Sequence, residues 1–527
     1  MAGQLSKLER RSVVSSFIFQ IPNDSTDEPL VGLFKRSNKV STYKQLIAPI
    51  SGSISRADPD PLTAAWRELS EETTLNPSKL TLWRTGKPFS FADQSVGREW
   101  TIHPFAFRLR DGVKEDAIKT DWEHEGWKWY DPTAVLQDKG LEQTGVPHLR
   151  ESLRRVWFEG ELNGTAGRAL GEGLTRILND HESGSHELTS IALGVFREFI
   201  VNTQEGMQDA KWWEDVKMAA WHLVKNGRES MGVATLNVLL AALEEMDEIW
   251  RLDELPEEKV KRMLTIVDHH LKARTSRSGL VKETFASYVR STFASSGQPR
   301  KQLTILTLSN SSTIRDSIVE AFTSLDIATL EMRILESRPR FEGVDFAYSL
   351  KSRFQAHFKD NSEKTLRITI YTDSSAALAA KGVDLVLLGA DRISRSKGVS
   401  NKTGSLPAVL GAKHHTPDAK VVVLGELEKV NGETGIIDDE KTEDNDPEEV
   451  IRTWRNEGVK GVDVTLAQEE FNSTIEVKNI YFEWVPLVFV DAFVSGQGIL
   501  DDAHIHQKAN QQEELASRYF NSFSIRY

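Results

Sequence analysis

The chain contains no cysteine. That absence excludes disulfides, thiolate zinc sites and any cysteine nucleophile, and makes an intracellular, reducing compartment the easiest setting. Positive charge is not in excess either: 65 Lys and Arg face 78 Asp and Glu, a net of −13. A mildly acidic chain has no general attraction for phosphate backbones or anionic lipid, so nucleic-acid and membrane partners are not expected. No apolar stretch approaches the roughly 18 residues needed to cross a bilayer. Nothing before Ile21 has the small-residue cleavage pattern of a targeting segment, so the expected location is the cytoplasm. What the chain does have is length. Its 527 residues are enough, at about 150 per domain, for three or four domains with separate cores.

The texture changes along the chain. From Ser12 to Asp131, strand-like runs (Val13 to Phe19, Leu30 to Phe34, Trp100 to Phe107) surround one compact helix, Pro61 to Thr73, and predict a mixed α+β domain over residues 1–145. Helical periodicity then takes over, as in Leu188 to Phe196, Val216 to Leu223 and Ala234 to Leu243, predicting a helical subdomain over 146–289. From Gln302 onward, short apolar runs recur between helical patterns: Leu303 to Leu306, Thr329 to Leu335, Leu366 to Tyr371, Val383 to Leu388 and Val421 to Leu424. They predict a doubly wound parallel sheet over 290–527. An acidic insertion, 431–470, interrupts it. Asn431 to Val450 carries nine acidic residues and one basic residue, which reads as a solvated or disordered segment. The pairs His269-His270 and His414-His415 lack a third ligand at a metal-binding spacing, and His181 and His186 read as local structure at a helix start.

Two segments carry chemistry. In the first domain Arg67-Glu68-Leu69-Ser70-Glu71-Glu72 lies on the predicted helix, with Glu68, Glu71 and Glu72 at i, i+3 and i+4. Three neighbouring carboxylates repel one another unless a hard divalent cation accepts their oxygens, and such a cation in turn bridges to phosphate. A solvated acidic face is the plainer reading of a Glu-rich helix. Gly52, Arg67, Glu68, Leu69, Glu71, Glu72 and Leu75 resemble the Nudix hydrolase box, with Thr74 at the late glycine of that pattern. The resemblance covers Ser12 to about Val135, including Glu123-His124-Glu125-Gly126-Trp127-Lys128-Trp129. It implies an α/β/α sandwich with a mixed sheet, Mg²⁺ or Mn²⁺ held by Glu68, Glu71 and Glu72, Glu72 as a catalytic residue, and hydrolysis of a nucleoside diphosphate linked to another group.

In the last domain, polar residues follow the apolar runs, where a doubly wound sheet binds its ligands. They are Ser309-Asn310-Ser311, Glu336-Ser337-Arg338-Pro339, Asp391-Arg392 and Asn401-Lys402-Thr403-Gly404. Singly, each is an ordinary cap or surface group. Together they suit a phosphorylated polyol, with cations and a helix N-terminus for phosphate and Asp391 for proton transfer. These stretches, with Phe482-Glu483-Trp484-Val485-Pro486 and Asn226-Gly227-Arg228-Glu229-Ser230-Met231, resemble one family. It joins the alpha, beta and delta subunits of translation initiation factor 2B with methylthioribose 1-phosphate and ribose 1,5-bisphosphate isomerases. The resemblance implies a helical part on a Rossmann-like domain, with no cofactor there, that pairs into homodimers or larger assemblies. It implies Asp391 and Ser309 as the catalytic positions, the latter a cysteine in the isomerases. Arg228, Asn310, Ser311, Arg338, Asn401 and Lys402 are the implied substrate contacts. Two expectations follow: a bifunctional sugar-nucleotide and sugar-phosphate enzyme, or a regulatory protein that senses a sugar phosphate or nucleotide without turnover.

Overall fold

A computed structural model of the chain describes residues 8–21, 29–138, 140–293, 301–359, 363–440, 442–462, 476–521 and 523. The chain divides into two compact units. One comprises the residues up to Thr175 together with Glu198–Ala219, the other Arg176–Arg197 with Ala220–Ser522.

In the first unit, strands β1 (Glu9–Gln20), β2 (Leu30–Arg36), β3 (Ile47–Ala48), β4 (Ile50–Ser53), β5 (Leu80–Thr85), β6 (Phe89–Asp93), β7 (Arg98–Leu109) and β8 (His124–Tyr130) form a single mixed sheet. Its long central pair, β1 and β7, is parallel from Glu9↔Arg98 to Phe19↔Arg108, while β2 and β4 run antiparallel to β1 and β8 pairs with β2. Residues Val14 to Phe19 are all buried because the sheet is covered on both sides. Val14 and Ile18 pack with Phe34, Ala64, Ala65 and Leu69. Phe17 and Phe19 point the other way onto Val135, Leu136, Leu149 and Leu153. This period-two alternation gives the expected α/β/α sandwich.

In the second unit, seven strands form a sheet in the order β11-β10-β9-β12-β15-β18-β19. They are β9 (Gln302–Thr307), β10 (Thr329–Leu335), β11 (Thr365–Tyr371), β12 (Leu385–Gly389), β15 (Lys420–Leu424), β18 (Ala492–Ser495) and β19 (Gly498–Leu500). All neighbours are parallel except the β18/β19 hairpin. Leu385 and Leu387 enter one core and Val386 and Leu388 the other, as a doubly covered sheet requires. Val281, Phe285 and Val289 of the long helix Pro256–Phe293 pack against the first of these cores. A smaller sheet, β16-β13-β14-β17, joins Val430–Asn431, Arg392–Ser394, Gly398–Lys402 and Phe482–Val485.

The strand order reverses between β9 and β12. The chain winds outward from β9 to β10 and β11, then returns to place β12, β15 and β18 on the other side. The crevice beyond the carboxyl ends of β9 and β12 is therefore the topological switch point, where side chains following the two strands face an uncovered opening.

The acidic insertion departs in part from the solvated reading. Ile436 and Ile437 are buried, Asp439 accepts from Asn431 (2.9 Å), and Glu443 accepts from Arg228 (2.9 Å). Asp439 and Glu443 are thus matched by buried cations and amides, while Glu433, Asp438, Glu440, Asp444, Asp446 and Glu448 are exposed as the solvated reading expects. Residues 441 and 463–470 of the insertion lie outside the described residues. Among the described residues no helix is long and apolar enough to cross a membrane.

Candidate active sites

In the first unit the helix Pro61–Thr73 begins where Asp60 accepts from the Thr63 backbone (2.9 Å) and Pro61 supplies a preset φ. It ends at Thr74, whose φ of 60° is the left-handed conformation that favours glycine. Ala64 and Ala65 are fully buried, and their small side chains let the helix lie close to the sheet. At about 100° per residue, Glu72 stands roughly 40° from Glu68, whereas Glu71 falls about 60° to its other side. Turning Glu72 inward consequently turns Glu71 out. Glu68 and Glu72 line a cavity of about 280 Å³, together with Arg36, Tyr43, Gly52, Arg98, Trp100 and Glu123. Glu71 is outside that lining, 59% exposed and paired with Arg67 at 3.2 Å.

Arg67 organises the helix start. It donates to both oxygens of Asp58 (3.1 and 3.0 Å), to Glu68 (2.8 Å) and to the Ser53 carbonyl (3.1 Å). Its hydrogen bonds hold the Asp58 carboxyl well below the ordinary range. Glu72 moves the opposite way. Burial, followed by the neighbouring charges of Glu68 and Glu123, pushes its carboxyl far up, and its buried Oε2 has no hydrogen-bond partner. His124 Nε2 lies 3.5 Å from that oxygen.

Glu123 and Arg36 join this site without any signal in the spacing of the helix. What brings them in is a register shift between Lys35 and Arg36, which sets Lys35 against Gly126 but Arg36 against His124. The bulge re-aims the strand end at the cavity. Among the described residues no three His, Asp or Glu side chains already converge closely enough to hold a metal ion. The donor chemistry nevertheless fits a hard divalent cation. Among the described residues the buried Oε2 of Glu72 has no hydrogen-bond partner, and the neighbouring Glu68 and Glu123 disfavour its charge, which a cation would relieve.

In the second unit the switch-point crevice opens into a cavity of about 350 Å³. Ser309, Asn310 and Ser311 enter it from the end of β9, and Asp391 from the end of β12. Asn401 and Lys402 come from β14, and Arg228 precedes the short turn Glu229–Met231. Ser311 caps the helix Ser312–Thr323. Ser309 has φ 67°, and its backbone amide donates to Ser337 Oγ at 2.8 Å. Among the described residues its hydroxyl has no hydrogen-bond partner.

Asp391 is anchored by its amide to the Ser400 carbonyl (2.9 Å). Burial pushes its carboxyl up, and Lys429, Lys402, Arg228 and Arg392 pull it back down by less. Lys402 is buried, 2.8 Å from Glu342, with its ammonium 4.4 Å from the Tyr481 ring centre. Arg228 donates to Glu443 (2.9 Å) and the Asp180 carbonyl (3.1 Å).

Arg338 does not enter the cavity. It is 51% exposed and donates to Glu336 (2.8 Å), while Asp373 holds its backbone amide (2.7 Å). Its own loop satisfies the guanidinium facing solvent. The cavity instead gains His181, His186, Arg274, Lys429 and Tyr481. Among the described residues the buried Nδ1 of His181 has no hydrogen-bond partner, and burial holds its pKa low. No spacing signal ties these residues to the strand ends; they come from segments about 30 to 130 residues away along the chain.

Residues 13–156 match the NUDIX domain, and residues 181–502 match the family described as the initiation factor 2 subunit family. Among curated relatives, the methylthioribose-1-phosphate isomerase of Pseudomonas syringae pv. syringae is 29% identical over 136 residues, 25% of this chain and 34% of that protein. The enzyme of the same name from Pseudomonas fluorescens is 32% identical over 136 residues, again 25% and 34%. That of Botryotinia fuckeliana is 30% identical over 183 residues, 31% of this chain and 40% of the relative. The chain thus spans about a third of the length of the first curated relatives it matches. The solved translation initiation factor eIF-2B of Pyrococcus horikoshii OT3 is similar with a TM-score of 0.43 and 17% identity, covering 63% of this chain and 96% of that one. The 5-methylthioribose 1-phosphate isomerase of the same organism gives 0.42 and 17%, covering 66% and 88%. With more than half of its length matched, the chain belongs to the initiation factor 2 subunit family, and it carries a NUDIX domain ahead of the family region.

Proposed function

We propose that the chain is a bifunctional cytoplasmic enzyme. Its first unit hydrolyses a nucleoside diphosphate derivative, and its second binds and isomerises a sugar phosphate of the ribose type. The observation that carries the first half is Glu72, a carboxylate buried beside Glu68 and Glu123 with an unpartnered oxygen on a cavity. Glu68, Glu72 and Glu123 would hold Mg²⁺ or Mn²⁺, and Glu71 would reach it only through a change of rotamer. The ion supplies charge neutralisation for the diphosphate and a more acidic water. Arg67 fixes the Glu68 carboxylate, and the surrounding apolar core excludes bulk water from Glu72.

At the second site Asp391 takes and returns the proton that an aldose-to-ketose conversion moves between adjacent carbons. A desolvated carboxyl with a raised pKa works closer to neutral pH than an ordinary one. Arg228, Lys402 and the amides opening the helix Ser312–Thr323 receive the phosphate. The product of one reaction, a phosphorylated sugar, belongs to the ligand class of the other. We place the chain in a homodimer or larger assembly, supported by the strongly exposed Tyr348 and Val488 of the second unit.

A second reading, a sensor that binds the sugar phosphate without converting it, is favoured by the unactivated hydroxyl of Ser309. The test uses the full chain with Mg²⁺. Hydrolysis of nucleoside diphosphate derivatives is followed by chromatography for wild type and Glu72→Gln, and ribose phosphates are followed by NMR for wild type and Asp391→Asn. Equal rates for wild type and Glu72→Gln would sink the hydrolase assignment. Binding of ribose phosphates without any ketose product would leave the sensor.

A further inference from the structure

We propose that Arg36 grips the diphosphate of the first unit's substrate and fixes the direction in which the nucleoside lies; this rests on the hydrolase reading above. The β-bulge at Lys35 and Arg36 turns the Arg36 side chain to the cavity, while Lys35 points out and pairs with Glu125 at 2.9 Å. Arg36 feels the charges of Glu72 and Glu123, yet among the described residues no carboxylate stands within ion-pair distance of it, and its buried Nε has no hydrogen-bond partner. Glu68, which lines the same cavity, is held by Arg67. A guanidinium is always charged and planar, with donors arranged as a fork that matches phosphate oxygens. An unpaired one lining a cavity beside a cluster of carboxylates is a cation without its anion. The carboxylates cannot serve as that anion while a metal occupies them; a diphosphate bridging metal and guanidinium serves both.

The cavity is also ordered beyond Arg36. Tyr43 interacts electrostatically with both Arg36 and Arg98. Its hydroxyl donates to Asp93 (2.8 Å) and accepts from Trp100 Nε1 (2.9 Å), and the Arg98 guanidinium lies 5.2 Å from the Trp100 ring centre. Carboxylates, Arg36, Tyr43 and the Trp100/Arg98 pair therefore line one cavity. With the phosphates at the carboxylates and Arg36, the Trp100/Arg98 pair, an aromatic face with planar donors, suits the heterocyclic base.

The test measures binding to the full chain by calorimetry with Mg²⁺ present, using α,β-methylene-ADP, inorganic pyrophosphate and adenosine as probes. Arg36→Met is expected to weaken α,β-methylene-ADP and pyrophosphate by about 10- to 100-fold and leave adenosine unchanged. Arg36→Lys recovers part of that loss, and is the variant read should Arg36→Met not fold. Trp100→Ala weakens α,β-methylene-ADP and adenosine but not pyrophosphate. Wild type that binds neither phosphate probe overturns the hydrolase reading and this proposal with it. If wild type binds them and the Arg36 variants bind them within twofold, or lose adenosine equally, Arg36 is not the diphosphate ligand and the hydrolase reading stands.

Discussion

Gly52→Ala separates the site of the first unit from its fold. Gly52 lies on β4 beside the helix Pro61–Thr73, and a methyl group there would fall 1.9 Å from the Glu68 carboxyl carbon and 2.0 and 2.4 Å from its oxygens. Ordinary contact begins near 3.4 Å, so the carboxylate must retreat by about 1.5 Å. What moves is the far end of a flexible side chain and not backbone, so the fold should lose no more than about 1 kcal/mol. The site loses much more. A donor displaced by more than 1 Å leaves Glu72 and Glu123 to hold the cation, and misplacement on that scale costs about 100-fold in rate. The expected outcome is a thermal midpoint within a few degrees of wild type, Mg²⁺ affinity down at least about tenfold by calorimetry, and metal-dependent hydrolysis down about 100-fold. Wild-type metal affinity and turnover in a folded Gly52→Ala chain would refute the reasoning, because Glu68 would then have no part in holding the ion.

Asp391 ties function to stability. Burial raises its folded pKa above the unfolded value of about 3.9. Across that window the folded chain keeps a proton the unfolded chain releases, so this group's contribution makes wild type less stable as pH rises. Asp391→Asn has no such penalty; urea midpoints should favour it above the window and converge with wild type towards pH 4, and a variant less stable at pH 8 would contradict the desolvated carboxyl. Glu151, fully buried in its side chain, accepts from Arg154 at 2.8 and 3.0 Å and also pairs with Arg155. Glu151→Ala leaves two buried guanidinia without it and should cost about 3–5 kcal/mol in denaturant unfolding; a loss below about 1 kcal/mol would show that the pair is effectively solvated.

What could be read along the chain was whatever local pattern decides. Asp60-Pro61 announces a helix start because the cap and the fixed φ act within one turn, and the runs ending at Thr307 and Gly389 announce covered strands because both faces of each need apolar residues. That Ser309 and Asp391 share one cavity was legible for the same reason: they follow strands that adjoin at the switch point. The rest depends on register and on competition for partners. Glu71 shares a motif with Glu72, yet the helix that buries one exposes the other. Arg338 has the right chemistry, but Glu336 two residues earlier takes its guanidinium. Arg36 and Glu123 meet only through a one-residue shift between β2 and β8, which alternation of residue types does not reveal. The acidic run from Asn431 reads as solvated and most of its carboxylates are exposed, but composition does not show that Asp439 and Glu443 meet Asn431, Arg392 and Arg228.

The missing cysteine has its structural counterpart at Ser309. A thiol there could ionise without help, whereas a hydroxyl needs a base within hydrogen-bonding reach. Ser309 lacks one among the described residues: its amide is tied to Ser337, and its hydroxyl faces the cavity unpartnered. Ser309 nonetheless adopts a left-handed backbone between the end of β9 and the helix Ser312–Thr323, so the position would still shape the proposed phosphate site. In the proposed isomerase the burden of proton transfer would pass to Asp391, whose carboxyl pKa burial raises and whose neighbouring cations Lys402 and Arg228 are the groups proposed to receive the phosphate. Phosphate binding would neutralise those cations and raise the Asp391 pKa further. On the proposed function, a ligand of this class would therefore prepare the acid that acts on it, and a site built on one carboxyl instead of a carboxyl and a thiol would draw its reactivity from its own substrate's charge.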